Sequence, residues 1–344
     1  MKKNLTLIFS LIILTALFIE PSLAFKKLGQ AGFKFLDVSN GARSAGMGGA
    51  YTVLGTDVEA SFFNPAGLAD MEKTWDFSFN YTSWIADITY NSAAVLYNAG
   101  TIGKFGMNFV APSYPDIQGT RIAANEQGFE DTGNVDVGAF CVGLNYARAL
   151  TDKFRIGAQM KYASQSLGES MKRRITKTVV NDSLNQYDTT FYNDDNKAST
   201  LVYDFGTLFY PKFKNFESFA FGMYVKNFSP QIKYERDEFQ LPLSFSLGFA
   251  FDVFDLLGEI PPDMRCGFEI DVIHPRDYSD RVHVGAEYVY KEMISVRTGY
   301  KFNYDEEGIS FGFGYKQKMF RLDYAYGYFG EFDMVNRVSL GITF

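Results

Sequence analysis

From Thr74 onward, apolar and polar residues alternate along the chain with a period of two. TWDFSFNY (74–81) puts Trp75, Phe77, Phe79 and Tyr81 on one face and Asp76, Ser78 and Asn80 on the other. LSFSLGFAFDVF (243–254) sets Leu243, Phe245, Leu247, Phe249, Phe251 and Val253 against Ser244, Ser246, Gly248, Ala250 and Asp252. Side chains of an extended chain point alternately to opposite faces, so this period predicts strands rather than helices. The pattern divides most of the remainder into segments at 74–81, 88–98, 101–112, 134–149, 154–164, 199–210, 219–228, 243–254, 264–273, 281–290, 294–303, 309–316, 320–329 and 336–344. An even number of such segments, each about ten residues long, is the signature of an outer-membrane barrel. The fold class expected is therefore all-β, a 14-stranded antiparallel transmembrane β-barrel with an N-terminal hatch or plug.

The connections alternate in length. TDK (151–153), KEM (291–293) and QKM (317–319) are short, whereas 113–133 and 165–198 are long and polar. Short periplasmic turns and long outer loops are the asymmetry expected of such barrels. The loop predicted at 165–198 carries a basic cluster, Lys172, Arg173, Arg174 and Lys177, followed by Asp194 and Asp195. The turns 211–218 and 255–263 are longer than the rule predicts. The apolar face reads as the outer one, as in Phe320, Leu322, Tyr324, Tyr326 and Tyr328. A soluble sandwich also alternates, but the strongly aromatic face and the alternating connections argue against it.

Composition sharpens this picture. The chain has 35 Phe and 22 Tyr but 2 His, and a net charge of −7. That balance argues against a nucleic-acid partner, which requires a basic face. Cys141 and Cys266 are too few for a disulfide framework and read as small packing residues. Met1-Lys2-Lys3, the apolar run Leu5–Ile19 and Ser22-Leu23-Ala24 predict a secretory signal peptide over 1–24. This leaves a hatch at 25–73 and a barrel at 74–344, with outer-membrane lipid around it. The last strand, RVSLGITF, places Val338, Leu340, Ile342 and Phe344 on one face. It resembles the terminal signal read by the barrel assembly machinery, which makes Phe344 the candidate assembly signal.

Ahead of the strands lies NGARSAGMGGAYTVLGTDVEASFFNPAGLAD, residues 40–70. Its glycines suggest a phosphate loop, but such a loop follows a buried strand inside a βαβ unit, and here no apolar strand precedes Gly41. The alternative is steric. A segment folded inside a barrel must turn tightly and approach the wall closely, and glycine permits both. Asn64-Pro65-Ala66-Gly67 is a turn signal. The hatch motif is therefore Arg43, Gly46, Met47, Gly48, Gly49, Asn64, Pro65, Ala66 and Gly67.

The stretch GARSAGMGGAYTVLGTDVEASFFNPAGLA resembles the N-terminal signature of the PorV/PorQ family, in which A-R-x-x-G-M-G-G-A precedes an acidic stretch and an N-P-A-G-L-A turn. QAGFKFLDVSNGAR (30–43) and SWIADITY (83–90) are similar to that family too. The resemblance implies a FadL-like fourteen-stranded barrel serving type IX secretion as a docking or shuttle component. Its implied partners are secreted proteins and components of the secretion system. The alternative is a FadL-like channel for long-chain fatty acids or other hydrophobic compounds.

Little points to catalysis. His274 precedes Pro275 in an outer loop, His283 falls on the lumen register, and no CxxC, HExxH or GxSxG occurs. No enzyme activity, metal or cofactor is expected. The lumen register carries Arg265, Glu269, Asp271, Arg281, Glu287, Arg297, Lys301, Arg321, Asp323 and Arg337. Mixed charge on adjacent strands predicts cross-strand ion pairs in a filled interior, whereas a site for hydrophobic compounds is mainly apolar. Phe33, Phe35, Phe62 and Phe63 of the hatch could still build an apolar pocket.

Overall fold

The computed structural model describes residues 31–344 apart from 182–183, 215, 235–237, 259–260 and 333. The predicted signal peptide lies outside the described residues. The strands are β1 (Trp75–Ser83), β2 (Thr89–Asn98), β3 (Lys104–Ser113), β4 (Gln118–Ile122), β5 (Phe129–Asn134), β6 (Gly138–Ala149), β7 (Phe154–Asn181), β8 (Leu184–Phe209) and β9 (Ala220–Phe228). They continue with β10 (Ile232–Lys233), β11 (Glu238–Phe239), β12 (Ser244–Asp252), β13 (Met264–Pro275), β14 (Arg281–Tyr290), β15 (Ile294–Phe302), β16 (Glu307–Gln317), β17 (Phe320–Phe329) and β18 (Met334–Thr343). Fourteen of them form one closed barrel, in the order β1-β18-β17-β16-β15-β14-β13-β12-β9-β8-β7-β6-β3-β2, while β4–β5 and β10–β11 are separate two-stranded ribbons.

Closure joins the first and last strands. β1 and β18 pair antiparallel from Asp76↔Thr343 to Ser83↔Asn336. At the seam Trp75 and Phe344 exchange backbone hydrogen bonds of 2.8 and 2.9 Å, and the Phe344 ring stacks on Phe77. Closure leaves no barrel edge unpaired, as a lipid environment requires.

The alternation separates two environments. In β17, Phe320 is 60% exposed and Leu322, Tyr324 and Tyr328 are also exposed, whereas Asp323 and Ala325 are buried. Leaving one such apolar side chain in water forfeits about 1.5–3 kcal/mol. Repeated around the wall, that arrangement belongs in hydrocarbon, and the chain is an outer-membrane β-barrel.

One expectation is corrected. Residues 165–198 do not form a loop, because the β7–β8 ladder continues to Asn181↔Leu184, with an irregularity between Ser166 and Glu169. β6 leaves β7 at Ser166, so fifteen residues of β7 rise past the wall, roughly 50 Å at ~3.3 Å per residue. This stretch lost its apolar alternation because it stands outside lipid, but it kept residues that favour strands, among them Ile175, Thr176, Thr178 and Val179. The segment 113–133 is likewise partly a hairpin, β4–β5.

The two long inner turns brace each other. A short helix, Val253–Leu257, is capped by the Asp252 side chain and ends at Gly258 (φ 78°). Asp255 accepts the Ser218 backbone N–H at 2.7 Å, and Phe216 packs on Phe219 and Phe251. Cys141 and Cys266 are unbridged.

Candidate functional site

Residues 31–73 pack against the buried, inward faces of the strands. Close approach is built from glycine on both sides. Gly48 and Gly49 have φ of 67° and 78°, a region that disfavours any side chain with a Cβ. A Cβ on Gly48 would also lie 2.7 Å from the Tyr300 backbone N, and one on Gly46 2.8 Å from the Gly312 Cα. From the wall side, a Cβ on Gly285 would meet Met47 O at 2.5 Å, and one on Gly299 would collide with the Met47–Gly48 peptide. Met47 itself is fully buried.

Arg43, in the short helix Ala42–Gly46, is the electrostatic centre. Its Nε and Nη2 donate to the two Glu287 carboxylate oxygens, both at 2.8 Å, and Nη1 donates to Asp57 Oδ2 at 2.9 Å. Glu287 also accepts from Arg297 Nε at 2.7 Å, and Arg297 Nη1 donates to Asp323 at 2.7 Å. Arg321 lies 3.3 Å from both Asp57 and Asp323. The chain Asp57–Arg43–Glu287–Arg297–Asp323–Arg321 thus closes back on Asp57. Buried charges are tolerated when each is paired and hydrogen-bonded. Burial raises the Asp57 carboxyl, but the Arg321 and Arg43 charges outweigh this and hold it below the usual range. Glu59 is different: fully buried, with neither carboxylate oxygen hydrogen-bonded, it is pushed up to about 8 by burial, with the Asp57 charge adding.

Two wall carboxylates grip backbone instead of cations. Glu269 accepts the N–H groups of Val53 and Leu54 at 2.7 and 2.9 Å. Asp271 accepts those of Tyr51 and Thr52 at 3.0 and 3.1 Å, and the Thr52 hydroxyl at 2.7 Å.

The Asn-Pro-Ala-Gly turn docks elsewhere. The Asn64 side chain accepts Ala66 N–H at 3.1 Å, capping the 3-10 turn Pro65–Asp70. Its amide donates to Thr52 O at 2.8 Å and to Thr207 O of β8 at 3.2 Å. Gly206 and Gly157 make room, since a Cβ on either would collide with Asn64 or with the Pro65–Ala66 peptide. Gly67 lies against Gly55 O in the same way.

Two cavities flank the segment. One, about 570 Å³, lies toward the long connections and is lined among others by Phe62, Phe63, Trp84, Tyr114, Lys226 and Arg281. The other, about 330 Å³, lies toward the short turns and is lined largely by charged residues such as Arg265, Glu292 and Lys316.

The structure brings together Arg43, Glu287, Arg297, Arg321 and Asp323, but it does not gather all the lumen charges. Arg265 is half-exposed, 3.7 Å from Glu287. Arg281 stacks between Tyr278 and Tyr304, and Arg337 lies over Trp84. The pairs also differ from simple cross-strand ones, because Arg43 and Asp57 of the inner segment complete them. His283 meets the Tyr304 hydroxyl at 2.8 Å, and His274 meets Asp280 at 2.6 Å, so the histidines are apart. Sequence reasoning missed Asp57, Glu59 and the wall glycines. For the glycines a signal existed: Gly285, Gly299 and Gly312 all occupy inward positions of strands whose outward positions are bulky.

Residues 119–332 match the family model described as type IX secretion system membrane protein PorP/SprF. No curated protein sequence matches the chain. Among solved structures, the Ralstonia pickettii toluene transporter TbuX is similar, with 15% identity, a TM-score of 0.56, and coverage of 92% of this chain and 98% of that one. The Pseudomonas putida toluene transporter TodX has 13% identity, a TM-score of 0.55, and coverage of 87% and 96%. A Pseudomonas aeruginosa FadL homologue has 12% identity, a TM-score of 0.53, and coverage of 89% and 98%. At such identities the likeness speaks for the fold alone.

Proposed function

Since this chain belongs to the PorP/SprF family of type IX secretion system membrane proteins, we propose that it acts there as a docking or shuttle component. In this reading it binds exported proteins, or translocon and attachment partners, at its outer mouth, and it is not an enzyme. The observation that carries the reading is the β7–β8 arm. Its ladder runs past the last β6 pairing at Ser166 to Asn181↔Leu184. A hairpin that continues beyond the last β6 pairing plays no part in closing the barrel, and connections on a rigid scaffold are where binding residues concentrate. Residues 31–73 act as the hatch that keeps the barrel shut while partners exchange outside. The finer placement in the PorV/PorQ branch belongs to this proposal and rests on the signature over Gly41–Ala69.

The test is photocrosslinking in intact outer membrane from position Lys197, which is exposed at the base of the arm and lies outside the segment to be removed. Exported proteins or secretion components should be trapped, and the crosslinks should vanish when residues 169–195 are removed, with barrel assembly unchanged. Capture of lipid alone would end the docking reading. The aromatic lining of the 570 Å³ cavity favours a second reading, a channel for hydrophobic compounds. That reading requires uptake of a labelled hydrocarbon or fatty acid that depends on Phe62 and Phe63.

A further inference from the structure

The β7–β8 arm has an open backbone edge. Within the wall, β7 lies between β6 and β8 and pairs with both. β6 leaves at Ser166, whereas β8 stays in register from Glu169↔Asp195 to Val179↔Asn185. Among the described residues, no other strand takes the place of β6 there. Alternate residues from Glu169 to Asn181 therefore turn their N–H and C=O groups away from the hairpin, along roughly 40 Å of edge at ~3.3 Å per residue. The base of this edge is braced. Gly168, at the ladder irregularity, is buried and has φ 81°. A Cβ on it would lie 2.4 Å from the Val135 side chain, and its carbonyl accepts the Asn196 amide at 3.0 Å. An irregularity of this kind re-aims a strand.

An exposed strand edge is a template for another backbone, and proteins that avoid such pairing shorten the edge or place proline on it. Residues 169–181 contain no proline. They carry Lys172, Arg173, Arg174 and Lys177 against one carboxylate, Glu169, in a chain whose net charge is −7. In the β7–β8 register Asp188 and Asp194 fall diagonal to Arg174 and Lys172. Arg173 and Lys177 instead stand opposite Phe191 and Tyr187, with Thr189 diagonal to both. These cations sort the occupants an edge could take. A second copy pairing its β7 antiparallel to this one about Ile175 sets Arg173 against Lys177 twice, and like charges directly opposite are destabilising. Pairing β7 with the β8 of another copy is a head-to-tail contact, which propagates into rings or filaments. A strand bearing carboxylates meets neither obstacle and gains opposite-charge pairs across the new ladder. We propose that the free edge of β7 takes up an extended acidic polypeptide segment as an added strand. Backbone hydrogen bonds supply the affinity, and the cations select the sequence. The inference rests on the docking reading and names the chemistry of its partner.

The probe is a fluorescein-labelled peptide, Thr-Glu-Thr-Glu-Val-Glu-Thr-Glu-Thr, titrated by anisotropy into the purified protein beside its Lys-for-Glu counterpart. Two further versions of the acidic peptide separate backbone from side-chain recognition. One is N-methylated on every second amide, which leaves one edge able to pair; the other is N-methylated throughout, which leaves none. The acidic peptide should bind saturably and at least about tenfold tighter than the basic one. Alternate methylation should be tolerated, and full methylation should weaken binding at least about tenfold, as the loss of several hydrogen bonds requires. Arg173→Glu/Lys177→Glu should reverse the preference between the two peptides. Removal of residues 169–195 should abolish binding, with the heat-modifiable gel shift confirming an assembled barrel in both variants. Equal affinity of the two methylated versions, an unreversed preference, or binding that survives removal of the arm would overturn the proposal. So would self-association of the purified protein that disappears with the arm, which assigns the edge to a second copy. None of these results alters what is trapped from Lys197, so the docking reading and the added strand fail separately.

Discussion

Replacing Gly285 with alanine adds one methyl group to the inward face of β14. It would lie 2.5 Å from Met47 O, 2.9 Å from Met47 Cβ and 3.1 Å from Ala50 Cβ. To reach ordinary contact near 3.4 Å, the Met47 carbonyl must retreat by about an ångström. Neither side can absorb this by rotating a side chain, because one is a paired strand and the other a backbone turn with two glycines at positive φ. Overpacking of this kind costs about 1–3 kcal/mol, which corresponds to a 5- to 150-fold shift between two states. Local opening sets the rate of native-state amide exchange, so the amides of 44–54 report the cost directly. Those of Tyr51, Thr52, Val53 and Leu54, bonded to Asp271 and Glu269, should exchange roughly 5- to 150-fold faster in Gly285→Ala, with the barrel ladders unchanged. Gly308→Ala is the control, since its nearest neighbour would be 3.7 Å away. Indistinguishable exchange in the two variants would refute the steric account of the glycine stretch.

Arg43→Gln removes the cation shared by Glu287 and Asp57. Breaking a buried pair costs about 3–5 kcal/mol, so limited proteolysis should cleave residues 31–73 from a folded barrel, and wild-type resistance would refute the clamp. Glu59 holds its proton up to about pH 8 in the native state, while an unfolded chain releases it near the ordinary carboxyl value. The contribution of Glu59 to stability is therefore full below about pH 4.5 and is lost as pH rises through 8; Glu59→Gln should remove that component of the pH profile in the heat-modifiable gel shift, and parallel profiles would refute it.

All fourteen barrel strands were legible, because a wall with lipid on one side and a packed interior on the other forces strict alternation. Legibility ended where that contrast ended. Residues 167–181 lie beyond the last β6 pairing at Ser166, so no lipid-facing alternation is imposed there, and a polar run with scattered β-branched residues reads as a loop. Gly48 and Gly49 revealed a tight approach because positive φ leaves few alternatives. Their partners Gly285 and Gly299 were overlooked as ordinary strand residues. The charges on β14, β15 and β17 were visible as a register. Their partner Arg43 lies 244 residues from Glu287 in the chain, and no local pattern joins them. Glu59 was hidden for the same reason, since nothing in VEASF marks a carboxylate that will lose every hydrogen-bond partner.

The attachments of the inner segment fall on nearly opposite arcs of the ring. Arg43, Gly46 and Gly48 are held by β14 to β17, and Asn64 and Pro65 by β7 and β8, six places around a circuit of fourteen. A thin hoop resists stretching far better than it resists being squashed into an ellipse. A tie across its diameter removes that soft mode, as a spoke keeps a wheel true. Excising the segment would therefore do more than vacate the interior. It would let the hoop go oval, and the conductance of the emptied protein would fluctuate with the roundness of its rim.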